Sequence, residues 1–264
     1  MTSIAAGLLR PDAESSDYAP LLKWILTNTL AVVGLIVLWY FGLIQDMLQT
    51  DRTKISLVIF GIFIVTALHC LYQTVVVSRE LVAARKVKAA IASAGGKAMT
   101  AVDGRIMTAG GEVLEPGILT SHIANLITKA RTLASGQHLD QTLLLRSLAD
   151  QLRSREKLGW FVAEALLRLA LLGTAVGFIL MLIPVAGLDA FDVESLRETL
   201  TGMSSGMAIA LNVTVTGIAG ALLLKFEYYL LDEAIADLFH SVTELTEVFV
   251  VPTLEPAVAD APRR

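Results

Sequence analysis

The chain has 264 residues, of which 55% are hydrophobic and only 17% charged, and its mean hydropathy is +0.65. These values exclude an ordinary soluble domain. The formal net charge of −4 says little in itself, no nucleic-acid partner is expected, and the single cysteine, Cys70, gives neither a disulfide framework nor a metal set.

The first twenty residues contain Pro, Asp and Glu and lack a signal-peptide pattern, so the first apolar run is expected to act as an uncleaved insertion signal. Four apolar runs follow, at 21–44, 55–77, 169–188 and 203–224. Each is long enough for a hydrocarbon core of about 30 Å, which takes roughly 20 helical residues. Each must be helical, because lipid offers no partner to an open strand edge. The first run carries Trp39, Tyr40 and Phe41 near its end, rings suited to a membrane interface.

The second run passes without Pro or Gly from Gly61 into a strong helix-forming sequence, and is predicted to project beyond the membrane. More than half of the 21 Lys and Arg lie between Arg79 and Lys157. By the positive-inside rule this insertion is cytoplasmic, as are both termini. Gly95-Gly96, Asp103-Gly104, Gly110-Gly111 and Pro116-Gly117 mark turns around short alternating pieces, a loop or a hairpin. Helical spacing returns at 118–133 and at 139–160, the latter leading into the third span. After Leu224 the chain stays amphipathic until Pro252, so the fourth span is expected to continue as a cytoplasmic helix with a tail after it. In that stretch Lys225, Glu227, Asp232 and Glu233 read as a solvated collar at the inner mouth.

The predicted architecture is therefore an all-α membrane protein with four transmembrane helices and long cytoplasmic helical extensions. Its segments are an N-terminal piece (1–20), spans one and two (21–77), a helical insertion (78–160), spans three and four (161–225), a cytoplasmic helix (226–251) and a disordered tail (252–264).

Phosphate-loop, nucleophile-elbow and dinucleotide motifs are absent, and His69, His122, His138 and His240 are far apart in sequence, so no catalytic residue, cofactor or metal is expected. Attention moves to polar groups in the membrane, where an ionisable residue is functional by default. Spans three and four contain no Asp or Glu in their apolar cores. They do contain small and hydroxyl residues on regular faces. Ala170, Gly173, Thr174 and Gly177 lie on span three, Ala210, Thr214, Gly217 and Ala221 share a face of span four, and Asn212 and Thr216 lie on roughly the opposite one. Spacing alone fits close helix packing. Glu164 and Arg168 form an i,i+4 pair at the inner entrance of span three, a helix-stabilising pair or a gate. Pro184 marks a hinge or the end of that helix. His69, with Gln73 one turn on, reads as a hydrogen-bonded packing residue.

The stretches Leu172-Gly-Thr-Ala-Val-Gly177 and Ala210-Leu-Asn-Val-Thr-Val-Thr-Gly-Ile218 resemble the two pore-lining signatures of the MotA/TolQ/ExbB proton-channel family, in the family's order and separated by a short external loop. The resemblance covers about 166–238. It implies the channel-forming subunit of an inner-membrane motor driven by a proton or sodium gradient. Several copies, a pentamer by the family pattern, would surround a single-span partner whose membrane Asp or Glu carries the transported H⁺ or Na⁺. Thr174 and Thr214 would face that partner helix, with Thr216 and Asn212 as auxiliaries. Ala170, Gly173, Gly177, Ala210, Gly217 and Ala221 would pack the pore face. The chain would lie in a bacterial inner membrane, multi-pass. Some members carry Glu where Ile209 stands here, so a relay through that position is not implied. Four spans are similar to the flagellar stator branch, but the short insertion is not, which leaves the branch open. The alternative from another class is a membrane scaffold or signalling protein that binds a soluble partner through its cytoplasmic helices.

Overall fold

The computed structural model describes residues 19–42, 44–45, 53–93, 100–102, 105–107, 117–132, 139–186, 193–252 and 254. The expectations for the N-terminal piece, the connections around 46–52 and 187–192, His138, the glycine-pair turns and the C-terminal tail lie outside these residues.

Among the described residues the chain forms α1 (Ala19–Tyr40), α2 (Ile55–Ser93), a short hairpin of β1 (Thr100–Val102) and β2 (Arg105–Met107), α3 (Ile118–Thr132), α4 (Thr142–Ala186) and α5 (Val193–Leu245). A π-helical segment, Thr246–Val250, follows α5 directly. Four of these helices are long and apolar enough to cross a membrane: α1, α2, α4 and α5. The fold is thus almost entirely helical, as expected, and the turn-rich stretch contains the hairpin that its alternating pieces allowed. Its strands pair antiparallel, Thr100 opposite Met107, Ala101 opposite Ile106 and Val102 opposite Arg105.

Helix ends follow local chemistry. At the end of α1 the amide of Gly42 donates to the Trp39 carbonyl at 3.0 Å, and Gly42 takes a φ of 77°, the left-handed conformation that glycine adopts without a Cβ clash. At the start of α2 the Thr53 hydroxyl accepts from the Ile55 amide at 3.4 Å. At 1.5 Å per residue α2 is about 58 Å long, α4 about 68 Å and α5 about 80 Å, each well beyond the hydrocarbon thickness. Three helices therefore run far past their apolar windows.

The chain divides into two compact units. One comprises 23–72 and 156–230: most of α1, the apolar part of α2, the second part of α4 and the first of α5. Its helices bury a narrow seam, with Ile59, Ala163, Leu166, Ala170, Val213, Ala221 and Leu224 essentially inaccessible. Large apolar side chains cover its outside, including Leu30 at 74% exposure and Leu171 at 68%. Such extensive apolar exposure suits lipid and not water.

The other unit comprises the described parts of 1–22, 73–155 and 231–264. It buries Leu81, Leu119, Ile123, Leu126, Leu152, Leu231, Leu238 and Val242, and far fewer large apolar residues are exposed. Polar links tie its helices: Lys88 to Glu244 at 2.8 Å, Arg155 to the side-chain amide oxygen of Gln73 at 3.0 Å, and the side chains of Gln141 and Glu247. Glu80 of α2 accepts from the Ile118 amide at 2.9 Å, where the positive end of the α3 dipole favours a carboxylate.

Candidate functional site

The sequence-predicted residues meet along the antiparallel contact of α4 and α5. The helices approach so closely that glycine is required at several steps. A Cβ on Gly173 would come within 2.1 Å of a Val213 methyl, one on Gly177 within 2.7 Å of the Ala210 backbone, and one on Gly217 within 2.4 Å of the Ala170 methyl. Nearer the far end, Gly206 abuts the Met181 backbone and Gly202 the ring of Pro184. Small residues drive membrane helices together because they allow backbone approach where lipid supplies no hydrophobic force. Ala170, Gly173, Gly177, Ala210 and Gly217 are therefore occupied by packing within one chain, and Ala221 is buried. Ile209 is buried as well.

The polar residues flank this seam. Thr174, Thr214, Thr216 and Asn212 are all half-buried. The Thr174 hydroxyl donates to the Leu171 carbonyl at 2.6 Å, Thr214 to Ala210 at 2.8 Å and Thr216 to Asn212 at 2.8 Å. Each of these donations is local, so what Thr174 and Thr214 offer to a visiting group is the acceptor side of the oxygen or, after rotation, the O–H.

At one end of the seam Glu164 receives Arg168 at 3.5 Å and Lys225 of α5 at 4.0 Å. The i,i+4 pair is thereby extended across to α5, with Arg168 exposed, Glu164 half-exposed and Lys225 about one-third exposed. At the other end Pro184 lies two residues before α4 stops, its ring against α5. His69 of α2 meets Tyr228 of α5, Nδ1 to hydroxyl at 2.9 Å, while the ring of Tyr228 fills the space over Gly159 of α4.

The expected solvated collar is corrected at one residue. Asp232 and Glu233 are exposed, but Glu227 has no accessible surface, and neither of its carboxyl oxygens has a hydrogen-bond partner. The sequence carried a signal for this. Glu227 stands three residues after buried Leu224 and four before buried Leu231, on the inward stripe of α5.

The second unit holds a cavity of about 330 Å³ lined by Glu80, Ser121, His122, Asn125, Ser147 and Gln151, among others. His122 is buried and its Nε2 lacks a partner. Burial pulls its pKa below the usual histidine value, against a smaller opposing effect of the Gln141 side chain. Among the described residues no group of three His, Cys, Asp or Glu is placed to hold a metal ion.

Comparison of the chain with protein-family models, curated proteins and solved structures finds no match.

Proposed function

We propose that the chain is the channel-forming subunit of an ion-driven membrane motor, working with a single-span partner that brings the ion-binding carboxylate. The observation that carries this reading is the polar margin of the α4–α5 seam. Three hydroxyls and an amide, from Thr174, Thr214, Thr216 and Asn212, remain half-buried on helices whose apolar windows hold no acid. Packing alone accounts for the glycines and alanines between the helices. It gives no reason for half-exposed hydroxyls beside them, on helices whose exposed side chains are mostly large and apolar.

A partner carboxyl seated there would alternate between acid and carboxylate. A threonine hydroxyl accepts from the first and donates to the second, so the same two oxygens, on Thr174 and Thr214, serve both states. The protonated acid passes the apolar wall and the carboxylate waits beside the hydroxyls, which couples ion transfer to movement of the partner helix. Several copies of the chain would surround that helix, in a bacterial inner membrane with both termini in the cytoplasm.

The test is a photo-reactive amino acid placed at Thr174 and cross-linked in native membranes. The expected adduct is a smaller protein with one span and a membrane Asp or Glu. Adducts formed only with lipid, or only with a soluble protein, contradict the reading, and a soluble adduct would favour the scaffold alternative.

A further inference from the structure

Glu227 is the buried ionisable group that the α4–α5 site leaves unused. It lies just past the apolar run 203–224, on a part of α5 that packs against α1. Its side chain is fully enclosed, and both oxygens lack a hydrogen-bond partner. The indole Nε1 of Trp24 on α1 is also buried without a partner. That indole and the side-chain amide of Asn28 are the polar groups set against the carboxyl. Asn28 is held in place by its own bond, Nδ2 to the Trp24 carbonyl at 3.2 Å.

Among the described residues no surrounding charge neutralises it. Lys225, two residues earlier on α5, reaches Glu164, as does Arg168 of α4. Tyr228, the next residue, is hydrogen-bonded to His69 of α2, and buried Cys70 is the other titratable group that α2 brings near Tyr228. From α1 the titratable neighbour in sequence is Lys23, whose side chain is exposed. An enclosed carboxylate with neither a cation nor a completed hydrogen bond is strongly disfavoured, whereas the neutral acid is tolerated. Two potential donors, the indole N–H and the amide, stand close by, so the anion can be received once small movements or water complete the bonds.

We propose that Glu227 is a proton-binding site carried by this chain itself and closed by α1, and that release of its proton admits water at the α1–α5 contact. In the step the carboxyl O–H bond breaks, the proton passes to water, and the negative charge stays on the carboxylate. The site does not depend on the channel reading, since it needs no partner.

The test uses the full chain in lipid nanodiscs with Trp39→Phe and Trp160→Phe, which leaves Trp24 as its one indole. Trp24 emission is followed against pH. The expected result is a single transition, red-shifted on the alkaline side, with a midpoint at least about one unit above the ordinary glutamate value of about 4.3. Glu227→Gln, which imitates the neutral acid, should hold the acid-side emission at every pH. The same transition in Glu227→Gln, or no transition above about pH 5.3, overturns the proposal. If the Gln variant does not insert, Asn28→Leu is the second probe. Losing a donor to the anion should raise the midpoint, and an unmoved midpoint overturns the site.

Discussion

At Gly177 the backbone of α5 leaves no room for a methyl group, since the nearest atoms to a Cβ there are main-chain atoms of Ala210 that cannot rotate away. Gly177→Ala should therefore push the helices apart, destabilising by about 1–3 kcal/mol as overpacking generally does. The check is the thermal midpoint of the purified chain, and an unchanged midpoint would mean the helices do not approach so closely. His122 gives a pH dependence of known sign. Its folded-state pKa lies below the unfolded value near 6.5, so the unfolded chain binds the proton better. The stability held by neutral His122 is complete above about pH 6.5 and falls as pH drops through the folded value. A melting series from pH 8 to pH 5 should show a loss that His122→Gln removes. The small residues of the seam were legible in the sequence because glycine and alanine at three- and four-residue spacing signal close packing. The burial of Glu227 was not, because the acids around it suggested a wet face. Only the positions of Leu224 and Leu231 on either side place it inward.

At the scale of elements, α3 depends on a residue from another helix. Glu80 accepts from the first amide of α3 and stands where a Cβ on Gly117 would lie 2.7 Å from its carboxyl oxygen. Glu80→Ala leaves that helix end without its acceptor and should weaken α3 by about 0.5–2 kcal/mol. Hydrogen exchange of residues 118–132 checks this, with protection expected to fall by roughly two- to thirtyfold, while Glu80→Gln loses less. The Lys88–Glu244 pair, one-third exposed on both sides, should contribute at most about 1 kcal/mol. The extension of α2, α4 and α5 beyond their apolar runs could be read from the sequence, but the start of α5 could not: 193–202 reads as part of an acidic connection and is helical from Val193. Nor could the joints be read. Glu80 to Ile118, Lys88 to Glu244 and His69 to Tyr228 link residues 38, 156 and 159 positions apart, and no local pattern announces such pairs. The hairpin was half legible, because its alternating pieces fit a loop as well as a strand pair.

For the molecule as a whole, the unit formed by 23–72 and 156–230 buries only a narrow seam and exposes most of its large apolar side chains, the reverse of a water-soluble domain. That inversion is what a bilayer selects, and the half-buried hydroxyls of α4 and α5 lie within it. The central claim is that Thr174 and Thr214 act on an ion-carrying carboxyl and are not there for packing. It is tested most directly by gradient-driven ion flux into proteoliposomes holding the native complex, purified through a tag on this chain. Thr174→Val with Thr214→Val keeps shape and volume while removing both hydroxyls. The expected result is an assembled complex whose flux falls at least about tenfold, the equivalent of 1.4 kcal/mol in the barrier. Wild-type flux from the double variant would contradict the account.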